Sequence, residues 1–581
     1  MVVCQKERMT ESMMRLGRWA RWVPAAAAVL IAAWIAGDTF VTMAIEHAAL
    51  PFWDGWGTVS EYRDLLSGRF GFVELFAQHN EHRIAAGRLL FFTDILAFDG
   101  RGVFLSVCIG AILAGLAALL IWIARPAKAV EWRLYAISAA AAVGCLLSLL
   151  ATENLLWTFQ APFVLLYLSA ALGLYGTMRA CEAAGAGRAW AGWLTVAIVA
   201  LVTAVFCMAN GLAALALAIA LAALLRGPKL LIAILAILFA ALTAIYFHGY
   251  VSPSKPGGLQ FVLEHPDILL DYMLAFIGNL LRNTAASDRD SLLLGAFGFL
   301  LCGGVAWRIL VLRDFDAPRL ILTGMMLFVL AAALASGVGR LADFGQIQAY
   351  APRYVTPTAV FWACQALYWS SAAREGPIWL RLAPATGSCL LLWLLVQGQQ
   401  LSRPDAAALL ARITREADAT LVGVRDNDAD LGTTPFTENL PRDIELLRQK
   451  GKSIFAEPRA RWMGRPLASF AKADGQCLGA IDKAAPLPND PSGLKLEGWS
   501  WDTRHDRRVE QLIIVGADGR VVGLASGGEF RPDVIKAVRE VDHVATGWFG
   551  YARGVSGDVL TVYGMTGSGQ VCPLGAKTAT R

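Results

Sequence analysis

Before residue 400 the chain returns eleven times to runs of apolar residues long enough to cross a lipid bilayer. A hydrocarbon core takes about 20 residues of helix. Inside it a backbone must satisfy its own N–H and C=O groups, so each run is predicted to be helical. The runs cover 23–45, 102–124, 132–151, 155–178, 189–207, 208–226, 229–247, 291–311, 319–338, 355–372 and 378–398. Two weaker apolar stretches, 84–98 and 267–281, read as re-entrant or interfacial helices. Hydrophobic residues make up 56% of the 581 and charged residues 17%, which excludes an ordinary soluble enzyme. The expected fold class is a polytopic α-helical membrane protein, with its transmembrane domain over 23–400.

Charge sets the expected orientation. The tail 1–22 carries Lys6, Arg8, Arg15, Arg18 and Arg21 against Glu7 and Glu11, which keeps it cytoplasmic. No small-residue cleavage site follows the first span, so that span reads as an anchor. Further cations fall in alternate turns: Arg125, Lys128 and Arg133; Arg179 and Arg188; Arg226 and Lys229; Arg308, Arg313 and Arg319; Arg374 and Arg381. The opposite connections 151–154 and 208–211 hold no Lys or Arg. The net charge of +5 is thus a topology signal, and no basic patch of the nucleic-acid type is present. There is also no P-loop, dinucleotide fingerprint or zinc-ligand spacing. Eleven spans place residues 401–581 outside the membrane on the extracytoplasmic side.

That tail reads as a helical part, 401–492, and a β part, 493–581. Helical spacing covers 404–418 and 441–450. Strands are predicted at Leu494 to Trp501, Val509 to Val515, Val521 to Ala525 and Asp558 to Tyr563, and a small sandwich-like domain fits them. Eight of the ten cysteines lie before residue 400, leaving Cys477 and Cys572 in the tail, which should pair in an oxidising compartment. Trp499, Trp501, Trp548, Phe549 and Tyr551 either stack on sugar rings or fill the domain's core; the core is the plainer use. Asp426-Asn427-Asp428-Ala429-Asp430 has part of a calcium loop, but Gly432 and Glu438 each miss their position by one, so it reads as a solvated acidic turn.

The first outer loop, 46–101, concentrates polar chemistry at the membrane edge, where ionisable groups are costly to keep. Asp54 lies between Trp53 and Trp56, indoles suited to the interface. A short amphipathic helix is predicted over 58–67, ending at Ser67-Gly68, and a second over 72–78. His79-Asn80-Glu81-His82-Arg83 then opens the helical stretch at 84. Glu153, Asn154 and Gln160 sit at an outer helix start, where hydrogen bonding between helices is their plain use.

This arrangement resembles the GT-C superfamily of integral-membrane glycosyltransferases, and the bacterial envelope proteins assigned to it. The resemblance rests on Asp54, on Tyr62-Arg63-Asp64-Leu65-Leu66-Ser67-Gly68, on the many spans and on the outward C-terminal domain. Glu153 to Gln160 and Arg353-Tyr354-Val355-Thr356-Pro357 share that look. The common form has two adjacent acidic residues, whereas Gly55 follows Asp54 here. The resemblance implies a sugar donor on polyprenyl phosphate, a cell-envelope glycan acceptor and inverting transfer at the outer face of a bacterial inner membrane. Asp54 would be the general base, with Glu81 as the alternative. His79, Glu81 and His82 would position the acceptor. Arg83, Lys255, Arg340 and Arg353, with Tyr354, would meet the donor. A divalent cation stays open as a cofactor, because His79 and His82 could share a helix face with Glu81. A transporter or flippase for a lipid-linked sugar, and a non-catalytic glycan-binding assembly protein, are the alternatives.

Overall fold

Each predicted span is helical in the computed structural model, which describes residues 22–45, 47–127, 132–252, 258–281, 288–374, 377–426, 439–473 and 477–580. The helices are Val23–Ile45, Val103–Ala124, Trp132–Leu146, Ala161–Gly185, Ala191–Val205, Gly211–Leu224, Lys229–Phe247, Asp288–Leu310, Ala317–Phe344, Val355–Ala372 and Ile378–Val422. Among the described residues, eight helices are long and apolar enough to cross a membrane, and Ala191–Val205 and Gly211–Leu224 are shorter apolar ones. The weaker stretches are helical too, at Ala85–Ala97 and Pro266–Gly278. The protein is a multi-span helical membrane protein with a C-terminal β domain.

The chain divides into two compact units. The first comprises Met1–Ile45, Phe72–Leu90 and Leu105–Ala406. Its helices approach closely through small residues, the usual device where lipid gives no hydrophobic drive between helices. A Cβ on Gly176 would lie 2.9 Å from the backbone nitrogen of Ala197 on the neighbouring helix. A polar knot supplements this packing. Gln399 Nε2 donates to Asp38 Oδ2 (2.7 Å) and Thr39 Oγ1 (3.1 Å), while its Oε1 accepts from Ser148 Oγ (3.1 Å) and the Leu149 amide (2.8 Å). Arg403 pairs with Asp38. The same unit holds a hairpin of β1 (Gln78–His79) and β2 (His82–Arg83).

The second unit comprises Glu46–Gly71, Phe91–Phe104 and Ala407–Arg581. The predicted loop helix spans Gly55–Leu66, and Gly68 at φ +73 ends it in the left-handed region that glycine adopts freely. Its Ser60 hydroxyl and Arg63 guanidinium both donate to the buried Asp443 carboxylate, each at 2.6 Å. Lys452 pairs with Asp99 at 2.9 Å.

The β domain is one antiparallel sheet. Its strands are β3 (Cys477–Leu487), β4 (Asp490–Asp502), β5 (Arg507–Arg508), β6 (Gln511–Val515), β7 (Val521–Glu529), β8 (Gly547–Arg553), β9 (Val559–Met565) and β10 (Val571–Thr578). The order is β10-β9-β6-β7-β8-β4-β3, with β5 also on β4. The sandwich-like arrangement expected from sequence resolves into a single sheet curled until its edge strands meet. Cys477 on β3 and Cys572 on β10 form a disulfide, with Cα atoms 5.8 Å apart. Lys577 Nζ donates to the Asp482 carbonyl at 2.6 Å, and the Thr580 amide to the Ala484 carbonyl at 3.1 Å. Near-closure removes the open edges that would invite pairing with other chains. Leu494, Leu496, Leu512, Ile514, Trp548 and Val562 fill the interior. Trp501, Phe549 and Tyr551 are also buried, so the aromatics serve the core, with Trp499 half-buried. Asp426 corrects the expectation of a solvated turn: it is buried and accepts from the Tyr551 hydroxyl at 2.7 Å. Residues 427–438 lie outside the described residues.

Candidate functional site

Residues 78–83 lead into the helix Ala85–Ala97 but are not themselves helical. Gln78 faces Arg83 and His79 faces His82 across β1 and β2, and Asn80 turns the chain at φ +49. Asparagine tolerates that left-handed conformation and is favoured in tight hairpin turns. His79 and His82 are therefore cross-strand partners, not neighbours on a helix face. Among the described residues, no group of three or more His, Cys, Asp or Glu side chains could hold a metal ion.

Two arginines fix the hairpin. Arg83 donates through Nε to the Tyr246 carbonyl (2.7 Å), through Nη1 to Phe76 (2.8 Å) and through Nη2 to His248 (2.6 Å). Its backbone amide also reaches the Tyr246 hydroxyl at 2.9 Å. The cation thus satisfies carbonyls at the end of Lys229–Phe247, where helix carbonyls lack partners and the dipole favours positive charge. Three of its five N–H donors go to backbone carbonyls, so Arg83 ties the hairpin to this helix end. Arg88, buried, donates to the Leu75 carbonyl at 3.0 Å and to Ala77 at 2.6 Å.

This anchoring sets Glu81 against Arg340, 259 residues away in sequence: its two carboxylate oxygens lie 3.1 and 3.0 Å from Arg340 Nη2. One turn earlier on the same helix, Ser336 donates to the Tyr354 hydroxyl (2.9 Å) and shares a 2.8 Å bond with the Tyr272 hydroxyl. Arg353 Nη1 lies 3.7 Å from Glu153 Oε2, and its guanidinium stands 5.6 Å from the Tyr354 ring centre. Two buried asparagines clamp the turn between them. Asn279 Nδ2 donates to the Ala351 carbonyl (3.1 Å), and Asn154 Nδ2 to the Arg353 carbonyl (3.1 Å) and Thr356 Oγ1 (2.8 Å). The side chains of Glu81, Arg340, Glu153 and Arg353 keep 26–27% of their surface exposed, enough for a ligand to reach them.

The histidines have different surroundings. His82 Nδ1 accepts from the Ala209 amide at 3.3 Å. Burial pushes His82 down to about 4, so the neutral ring keeps that acceptor at neutral pH. The His79 ring lies 5.4 Å from Phe159, which in turn stacks on Trp157.

Asp54 belongs to the second unit, apart from this cluster in chain organisation. It is half-buried and precedes Gly55–Leu66, and its carboxylate makes no capping hydrogen bond to that helix. Trp53 before it has φ +48, a conformation that costs a bulky residue about 1–2 kcal/mol. Lys255 lies outside the described residues. Tyr272, Ser336 and Asn279 were not singled out from sequence; the only signal for Asn279 is an amide inside an otherwise apolar stretch.

No family model matches this chain, and no curated protein or solved structure matches it.

Proposed function

We propose that the protein is a GT-C-type membrane glycosyltransferase that moves a sugar from a polyprenyl-phosphate donor to an envelope glycan at the outer membrane face. The observation that supports this most is the gathering of two carboxylate–guanidinium pairs, Glu81–Arg340 and Glu153–Arg353, with Tyr354 at one end of the spans. A donor with a greasy tail and an anionic head suits groups at that depth. The disulfide supports an extracytoplasmic β domain, since such bonds persist in oxidising compartments.

In the proposed step an acceptor hydroxyl attacks the anomeric carbon as the bond from that carbon to the phosphate oxygen breaks. The hydroxyl proton passes to a carboxylate, and polyprenyl phosphate departs with the bonding pair, inverting the carbon. Glu81 is the base within the cluster, and Arg340 orients its carboxyl group. Arg353 offers the planar donor fork that matches phosphate oxygens. His79 and the neutral His82 would orient the acceptor.

The test is release of polyprenyl phosphate by the purified full-length protein, given a panel of polyprenyl-phosphate sugars and an envelope-glycan acceptor. Glu81→Gln should lower release by about 10²–10⁴-fold, the usual worth of a general base. Loss in Asp54→Asn with activity kept in Glu81→Gln would move the base to Asp54. Turnover unaffected by either change, or no turnover of any donor by the unmodified protein, would overturn the proposal.

A further inference from the structure

A hydroxyl inside a helix has a ready partner, the carbonyl four residues back. Thr177, Thr203 and Thr323 take it, donating to the carbonyls of Gly173, Val199 and Arg319 at 2.8, 2.8 and 2.9 Å. Ser336 does not. On Ala317–Phe344 it is the only hydroxyl residue between Thr323 and Arg340, and it donates across to the Tyr354 hydroxyl at 2.9 Å. A serine has one proton to give. The 2.8 Å bond between Ser336 and Tyr272 therefore runs the other way, with Tyr272 donating. The three side chains form a directed chain from Tyr272 through Ser336 to Tyr354.

The next residue makes room for that chain. A Cβ on Gly337 would lie 2.6 Å from Leu269 Cδ1 and 3.3 Å from Tyr272 Cδ1, so the glycine lets Pro266–Gly278 come close to Ala317–Phe344. The place of Ser336 on its helix gives the chain a use. It lies four residues before Arg340, about 6 Å of rise along one helix face. Arg340 holds Glu81, and Tyr354 directly follows Arg353, whose guanidinium is offered to the donor phosphate. Asn279 and Asn154 hold the backbone of this turn, at the carbonyls of Ala351 and Arg353. Ser336 holds its side chain, and holds it to the helix that carries Arg340.

We propose that Ser336 is a positioning residue for the donor phosphate. Its hydroxyl keeps Tyr354, and with it the Arg353 turn, in a set place beside Arg340. Tyr272 completes the role by turning the Ser336 proton toward Tyr354. The inference rests on the donor site of the transferase reading and adds the residue that sets the spacing of its two cations.

The experiment measures the Kd of undecaprenyl phosphate for purified full-length protein in neutral detergent, so it needs no turnover. Ser336→Ala should weaken binding about fivefold, within the range of one hydrogen bond. Ser336→Thr restores the hydroxyl and should stay within about twofold of the unmodified protein. The double variant Ser336→Ala, Tyr354→Phe should bind within about twofold of Tyr354→Phe alone, because both changes break the same bond. Unphosphorylated undecaprenol should bind Ser336→Ala and the unmodified protein alike. Arg353→Gln tests the donor site itself. Weaker binding in Arg353→Gln with no change in Ser336→Ala would overturn the role of Ser336 and leave the donor site standing. Equal losses in the alanine and threonine variants would overturn it as well, since the hydroxyl would then not be responsible. So would a matching loss for undecaprenol, because the serine would then shape a lipid groove. Failure of the unmodified protein to bind undecaprenyl phosphate, or full affinity in Arg353→Gln, would remove the donor site and this inference with it.

Discussion

Replacing Cys477 and Cys572 together with alanine tests how the curled sheet is held. The bond joins the two edge strands across a sequence separation of 95 residues. Cross-linking a loop of that length removes unfolded-state entropy worth about 4.7 kcal/mol on the chain-entropy account. Other closure contacts, Lys577 to Ile481 and Asp482 and Thr580 to Ala484, are hydrogen bonds with a net worth of roughly 1 kcal/mol each. The disulfide is therefore expected to dominate closure. The measurement is pulse proteolysis of the full-length protein across a urea series, following the band that contains the β domain. With a urea slope of about 2 kcal/mol per molar, the midpoint should fall by about 2 M. A fall of less than about 0.5 M would refute the argument, because the sheet would then be closed by packing alone. The same cysteines also report compartment. Alkylation of protein from intact cells without reductant should leave both unlabelled, and labelling of both would place the domain on a reducing side.

Other expectations follow from single contacts. Asp443→Ala removes the acceptor shared by Ser60 and Arg63 and should cost the second unit about 3 kcal/mol, read as a lower urea midpoint for its proteolytic fragment. Burial lowers His82 from 6.5 to about 4, so the unfolded chain binds the extra proton between those values. Stability should fall as pH drops through that window, by up to about 3 kcal/mol; His82→Gln should flatten the slope, and an unchanged slope would refute this. Gln399→Leu breaks the knot of Asp38, Thr39, Ser148 and Leu149 and should destabilise the first unit by about 1–2 kcal/mol in detergent melts.

The helices were legible because bilayer thickness turns run length into a direct signal, and each run is helical. The hairpin Val509 to Ala525 was legible through its turn, where Gly519 adopts φ +73. The fold of 78–83 was not legible. Its polar run looks like a helix start, but Arg83 is captured by the carbonyls of Tyr246 and His248, more than 160 residues away. Asp426 was misread for the same reason: its partner Tyr551 is 125 residues distant. Glu81 and Arg353 stood out as charges at a membrane edge, yet their partners Arg340 and Glu153 could be assigned only once the helices were assembled.

The curled sheet has a consequence for biosynthesis. Cys572 leaves the ribosome 95 residues after Cys477, a delay of roughly 5–20 s at ordinary translation rates. Throughout that interval the first strand to emerge waits with one flank unmatched, a template for stray chains. Nascent domains of this build should depend on a holdase until their last strand arrives.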